Sequence, residues 1–517
     1  FGILNRRRAR RHFDRGLMLA ARPTALFVSL LFGGGVLAAG PVRAQTGDSA
    51  ADQFKASLIQ VLSLATFGTV SIREPDASVV RDGSDFRVRL PLSGFAAPPD
   101  AAITAVARPL ENGRMDIASL MFPSSGTIER PPANGMPSRI TFAIGEQTIS
   151  AKIDPTLATE STYTADMGGV GVEADQGDQH SEQHFAHIVT DGSVSAEPDG
   201  RLTFGSQSRI MGFRLIGHTA DGVRSDVSAR AAAGHIAVEG MDRAQGMRML
   251  AALRDFATGA AAERAEHGPD QPAFDPSPEQ RERLRAMVDD AVGLLNRLEI
   301  DETMEDVHFS VGKEAGGGPT SGATSGTIGQ VRLTVSGDAV QERLNGRFGV
   351  VLDGIVAAGA SPDAAGMIPH HVDLKTVLSG VQVGPLIALL RAATQGHADP
   401  TLLQAQAMAL LGQPGAQVGI EALSFDSGPL TVTATARLVP LGNGQPGGEI
   451  HLAARGMDAL MAQAASQPNL QRLMPLVFMA KGMGRPVGDS LVWDISLGDG
   501  PIRINGVPFG QALGKTR

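Results

Sequence analysis

From Leu430 to Leu438 the side chains alternate without a break. Leu430, Val432, Ala434, Ala436 and Leu438 fall on one side, and Thr431, Thr433, Thr435 and Arg437 on the other. An extended backbone puts every second side chain on the same face, so this run commits to a half-buried β-strand. The same period recurs at Phe86, Val88 and Leu90, which alternate with Arg87 and Arg89. It recurs again at Ile140, Phe142 and Ile144, which lead into a turn at Gly145-Glu146 before Ile149, Ala151 and Ile153 return. Strand-like runs also cover 187–195, 208–218, 224–230, 235–239, 306–312, 328–336, 347–354 and 449–454. Apolar-in, polar-out alternation of this kind predicts antiparallel meanders with one wet face.

Helical periodicity interrupts the strands. Phe54, Leu58, Val61, Leu62 and Ala65 predict a helix from Asp52 to Gly68, and a second runs from Asp242 to about Ala257. A third opens at Ser277, with Pro278 at its first position and Gln280 completing a capping box. Its stripe is Leu284, Met287, Val288, Ala291, Leu295 and Leu298. Further helices are expected over 373–394 and 399–412, and over 457–482 divided by Pro468 and Pro475. The Gly-rich run 314–327 reads as a flexible hairpin loop, and 258–276 as a linker. The expected fold class is therefore α+β, with two related halves of long antiparallel β-meander covered by amphipathic helices. Residues 45–257 form the first half and 277–517 the second. Gly240-Met241-Asp242 and Gly456-Met457-Asp458 each follow a strand and precede a helix, which suits a shared turn or a duplication.

The first 44 residues read as an export signal. Arg6, Arg7, Arg8, Arg10, Arg11 and Arg15 precede an apolar stretch from Thr24 to Gly40, and Val42-Arg43-Ala44 supplies the small-x-small cleavage pattern. Cleavage after Ala44 would place the protein in the periplasm with no remaining transmembrane span. Arg10-Arg11-His12-Phe13 partly fits the twin-arginine pattern, and that route and the general secretory route both stay open. The signal carries eight arginines and one aspartate, so the remainder is more acidic than the −9 of the whole chain. An acidic protein is repelled by nucleic acid and by anionic lipid surfaces, and one Trp and one Tyr supply few stacking platforms. The chain contains no cysteine, which removes disulfides, thiol catalysis and thiolate metal sites.

Few motifs carry chemistry. Gly488-Asp489-Ser490-Leu491 spells a hydrolase motif, yet no His lies between Leu491 and Arg517, and a nucleophilic serine needs a base within reach. Gly514-Lys515-Thr516 echoes a phosphate loop whose first glycine would fall on Phe509. The cluster with chemical potential is His180, His184 and His187, beside Glu173, Asp175, Asp178 and Glu182. Imidazole and carboxylate suit Zn²⁺, Ni²⁺ or Cu²⁺, and on a helix the three histidines would share a face. A solvated polar loop is the competing reading, as turn or cap roles are for His370 and His371. No pair of carboxylates is singled out for acid–base work.

The C-terminal half resembles a known group of sequences. The residues concerned are Ile368-Pro369-His370-His371-Val372-Asp373-Leu374, then 420–430 (IEALSFDSGPL), Gly456-Met457-Asp458-Ala459-Leu460, and 491–510 from Leu491-Val492-Trp493-Asp494-Ile495 to Asn505-Gly506-Val507-Pro508-Phe509-Gly510. Over roughly 230–517 this is similar to exported proteobacterial proteins of the DUF2125 and DUF945 groups. The resemblance implies an extended periplasmic α+β protein with long antiparallel sheets, and supplies no catalytic residues. The expected function is a non-catalytic cell-envelope protein that binds an apolar or amphiphilic ligand, such as a lipid, or an envelope protein. The alternative is a divalent-metal-binding protein or metalloenzyme using His180, His184 and His187. No other cofactor is implied.

Overall fold

The computed structural model describes residues 71–72, 78–93, 101–111, 114–133, 136–154, 160–177, 179–219, 222–242, 244, 282, 296–315, 318–340, 343–358, 368–393, 413–441, 446–466, 474–498 and 500–509. The leader, the linker and the helices expected over 52–68 and 399–412 lie outside these residues. So do almost all of those expected over 242–257 and 277–298. Among the described residues there are twenty-three strands and three helices. The expected α+β class, with helices covering the sheets, is overturned in favour of a mostly antiparallel β protein. The chain divides into two compact units, residues 1–295 with 309–323 and residues 296–308 with 324–517.

In the first unit, β1 (Ser71–Ile72), β2 (Ser78–Asp82), β3 (Asp85–Ser93), β4 (Ala102–Pro109) and β5 (Met115–Met121) are short. β6 (Ser125–Ala133) leads into β7 (Met136–Ile153), β8 (Ser161–Gln176), β9 (Gln179–Ala196), β10 (Leu202–His218) and β11 (Val223–Met241). All pairings are antiparallel, in the order β2–β3–β4–β5–β7–β8–β9–β10–β11. β5 and β6 share one edge of β7, on its C-terminal and N-terminal halves respectively. β7 to β11 run 16 to 19 residues each, a reach of roughly 55–60 Å. Gly177, Gly200 and Gly222, at positive φ, keep the turns between β8 and β11 tight, so these strands pair with their sequence neighbours. The expected turn at Gly145-Glu146 does not form, because β7 passes straight through it.

Apolar side chains gather on one face in three clusters. Val88, Leu90, Ile103 and Ile117 anchor the first. Phe142, Met167, Val170, Phe185 and Ile188 anchor the second, and Val194, Leu202 and Phe204 the third. Phe185, which is 1% exposed, packs against Phe213 with ring centroids 5.4 Å apart.

A transverse crease crosses the second cluster. Buried positions on β8 are Ala165 and Met167, then Val170 and Val172; on β9 they are Gln183 and Phe185, then Ile188 and Thr190. The spacing of two becomes three at one point in each strand. At that point every ladder skips a position, along the line Gly145, Gly169, Ala186, Gly212, Arg230. Gly169 (φ 60°) and Gly212 (φ 62°) adopt the left-handed backbone there, a region glycine enters without steric cost. A Cβ on Gly212 would sit 2.7 Å from that of Ala186. The crease reverses the alternation, so the apolar set stays on one side as the strands bend.

The second unit is also a meander. β13 (Gly318–Val340) pairs through residues 330–340 with β14 (Arg343–Asp353), and through 325–327 with β15 (Val356–Ala358). β16 (His371–Gln382), β17 (Gln417–Asp426), β18 (Thr431–Pro440), β19 (Pro446–Arg455) and β21 (Ser490–Leu497) follow edge to edge from β14. β20 (Arg485–Val487) and β22 (Arg503–Ile504) both pair with β21, and β23 (Val507–Pro508) pairs with β22. β12 (Arg297–Ala315) precedes them and contains Leu298, expected in a helix. The Gly-rich loop expected over 314–327 is largely strand, since β13 starts at Gly318.

The helix expected over 373–394 is strand up to Gln382, followed by α1 (Val383–Ala393). Its apolar spacing has a bulge as its cause. Leu378 pairs with Gly346 and Val381 with Leu344, so two residues of β16 face one of β14. That extra residue, with Gly380 at φ 69°, puts three positions between inward side chains and imitates a helix. α2 (Met457–Ser466) and α3 (Met474–Met483) occupy the expected 457–482 stretch, with Pro475 in the first turn of α3. α3 has no buried residue, so it does not cover a core as expected.

Candidate functional site

The three histidines singled out by sequence all lie on β9. Strand rise puts His180 and His184 roughly 13 Å apart along the backbone, and His184 and His187 about 10 Å. The structure therefore does not bring them together on a helix face, and each meets a different partner.

His180 is opposite Asp175 across the β8–β9 hairpin. Its Nδ1 lies 2.6 Å from Asp175 Oδ1 and its Nε2 3.0 Å from Glu182 Oε1. An ionised carboxylate only accepts, so this arrangement favours the protonated ring, whose two nitrogens can both donate. The Asp175 carboxylate, and then that of Glu182, hold its pKa above the ordinary histidine value against a smaller opposing effect of burial.

His184 Nδ1 donates to the Val170 carbonyl at 3.3 Å, and its ring covers Gly171, whose missing side chain leaves the room. His187 Nε2 lies 2.5 Å from Asp166 Oδ1. Among the described residues, no three His, Asp or Glu side chains gather in a metal-holding group.

Between His184 and Arg214 lies a shallow recess of about 260 Å³, lined by Thr141, Gly171, Glu173, Glu182, His184 and Arg214. Glu173 and Glu182 face each other directly across β8 and β9. Like charges at that spacing repel, and the His180 imidazolium offsets this by bonding Glu182. Arg214 is engaged too: its Nε and terminal nitrogen reach both Asp226 oxygens, at 3.2 and 2.7 Å. That two-point contact raises the guanidinium pKa further. Phe142, Val172 and Ile216 line the recess beside these charged groups, so it is apolar as well as ionic.

The pairing of His180 with Asp175 is repeated elsewhere. His371 stands opposite Asp353, with Nδ1 and Oδ1 3.3 Å apart. His451 stands opposite Asp494, at 2.6 Å. His451 and then Arg485 hold the Asp494 carboxyl below its usual range. Sequence reasoning missed these pairs because they join positions that only register makes adjacent. The spacing of Asp175 and His180 about Gly177 was the one local signal.

Ser490 starts β21, and its hydroxyl donates to Asp489 at 3.3 Å. Gly488-Asp489 forms the turn between β20 and β21. His370 donates its backbone N–H to the Asp426 carbonyl at 2.6 Å.

The C-terminal end carries the other unusual surface. Trp493 donates to the Ala480 carbonyl at 2.8 Å, fixing α3 to β21. The Asn505 amide donates to the carbonyls of Met483 (2.9 Å) and Val492 (3.1 Å). These bonds tie α3, β21 and the β22–β23 turn together, while Leu476 and Phe478 stay exposed. No helix among the described residues is long and apolar enough to cross a membrane. No protein-family model, curated protein or solved structure matches the chain.

Proposed function

We propose that this is a non-catalytic cell-envelope protein, exported by its N-terminal signal, that holds an apolar or amphiphilic molecule along the first unit. The observation that carries this reading is the apolar face of β3 to β11. The first cluster lies on β3 to β5, of seven to nine residues, and the second and third on β7 to β11, strands about three times the usual length. A long apolar face suits the alkyl chain of a lipid better than a compact substrate, and the chain would lie against the partly buried residues beside the clusters, such as Ile140, Ile149, Ile210 and Phe213. The recess near His184 is lined by Phe142, Val172 and Ile216 as well as by charged groups, which suits an amphiphilic molecule. The basic leader and the similarity to exported proteins of the DUF2125 and DUF945 groups favour the periplasm.

Native mass spectrometry of the full chain purified from the periplasm tests the reading. The expected result is a bound species that organic extraction recovers as lipid. A ligand-free mass, with no uptake of a fluorescent fatty acid, overturns it.

A further inference from the structure

Hydroxyl groups interrupt the apolar face of the first unit at one place. Between the second and third clusters, β8 to β10 turn Tyr163, Thr190, Ser206 and Ser208 to the same side as the buried Met167, Ile188 and Phe204. Register fixes their arrangement. Tyr163, Gly192 and Ser206 stand in one row across the three strands, and Ala165, Thr190 and Ser208 in the next. Gly192 has no side chain, so the Tyr163 ring lies across it, where a Cβ would come within 2.4 Å of a ring carbon. The phenol thereby reaches Ser206 Oγ at 3.0 Å. Bulky apolar residues flank both rows: Met167, Ile188 and Ile210 on one side, Val194, Phe204 and Val238 on the other.

Each hydroxyl has one proton to donate and two lone pairs that accept. Thr190 donates to the Gln207 carbonyl at 3.0 Å, Ser206 to that of Asp191 at 3.2 Å, and Ser208 to that of Gly234 at 3.5 Å. With the Ser206 proton so placed, Tyr163 is the donor in its bond with Ser206. Burial pushes the Tyr163 pKa up, so the phenol keeps that proton at neutral pH. All four protons are therefore directed into the protein, and the oxygens are left as acceptors. Thr190 is 0% exposed and Ser206 5%, whereas Tyr163 and Ser208 are half-buried and open to a ligand. We infer that Tyr163 and Ser208 form a hydrogen-bond-accepting station on the apolar face, which selects an amphiphile whose polar group is a donor, such as an alcohol, with its apolar body over the flanking clusters. The station rests on the reading proposed above, that an amphiphile is bound along this unit, and adds the chemistry of its polar group.

The full chain purified from the periplasm is titrated with decanol and with decyl methyl ether, which has the same alkyl chain and no donor. Displacement of fluorescent N-phenylnaphthylamine reads both affinities. Decanol is expected to bind wild type about tenfold more tightly than the ether, as one or two neutral hydrogen bonds allow. Tyr163→Phe keeps the ring over Gly192 and removes its oxygen. It should weaken decanol about fivefold and leave the ether unchanged, and Ser208→Ala should do the same to a smaller extent. A decanol preference that survives in both variants overturns the station. So does an equal loss for decanol and ether, because the hydroxyls then serve packing alone. If Tyr163→Phe lowers the thermal midpoint, Ser208→Ala decides. Wild type that binds both compounds equally removes the station and leaves the ligand reading standing. Wild type that binds neither compound nor the probe, and is ligand-free by native mass spectrometry, overturns both.

Discussion

The two units use the same antiparallel plan and place their apolar residues differently. In the first, long strands bring Val170, Phe185, Ile188 and Val194 to near-zero exposure in contiguous clusters. In the second, among the described residues, Val381 and Ala416 form a small buried cluster, and Leu430, Ala434, Val492 and Trp493 are also buried. There Phe348, Val356, Leu476, Phe478, Val487, Ile502 and Val507 stand in solvent. Strand length alone does not decide burial, since Leu90 and Ile103 are buried on strands of nine and eight residues while Phe348 is exposed on one of eleven, and Val80, Met121 and Met211 are exposed in the first unit. A sheet of long strands shields its own middle, because each side chain is surrounded by neighbours on its own and adjacent strands. The two- and three-residue strands β20, β22 and β23 and the exposed side of the ten-residue α3 give less shelter.

Phe185→Ala strikes the contrast hardest. It removes a fully buried ring from the second cluster and should destabilise by about 3–5 kcal/mol, read from urea unfolding by circular dichroism. A loss below a third of that would mean the first unit is not packed as a core. Next comes the crease. Gly212→Ala forces a side chain into the left-handed backbone region and against Ala186, at about 1–3 kcal/mol. Gly169→Ala, whose new Cβ meets nothing closer than 3.8 Å, should cost less. Adding Ala186→Gly should narrow the gap between the two, and equal costs would show that the contact is unimportant.

Leu476→Ser in the second unit should change unfolding free energy by no more than about 0.5 kcal/mol, because it removes nothing buried. A larger loss would mean that α3 supports a core after all.

Titration separates the units by direction. His180 has a raised folded pKa, so its stabilisation is complete below the ordinary histidine value and is lost as pH rises through the raised one. The difference in thermal midpoint between wild type and His180→Gln should shrink towards alkaline pH. Asp494 has a lowered folded pKa, so its contribution is present above the ordinary aspartate value and fades as pH falls through the depressed one. Asp494→Asn should therefore lose its effect at the acid end. The smallest expected effect concerns metal. Replacing His180, His184 and His187 by Ala should leave bound metal, measured by mass spectrometry, unchanged, and a drop would restore the metal reading.

Alternation made much of the strand content legible. Residues 86–90, 140–153 and 431–438 are strands because their apolar residues recur every second position. What misled was the bulged or creased strand. Leu378 and Val381 on β16, and Phe185 and Ile188 on β9, are three apart and both point inward. In sequence, that spacing cannot be told from a helix until the left-handed glycine is placed. The histidine cluster was legible as composition, but its geometry was not. Its partners Asp166 and Asp175 sit on β8, and only register brings them into contact.

The line through Gly145, Gly169, Ala186, Gly212 and Arg230 has a further consequence for assembly of the sheet. Strands of sixteen or more alternating residues can pair in many registers, because sliding by two positions leaves the inward set inward. Here a slide would ask bulky residues to enter backbone regions that glycine holds at 169 and 212. The line thus acts like a dowel through stacked planks. Each strand added to the growing sheet has one position at which its hole meets the others, and misaligned neighbours stay loose enough to try again.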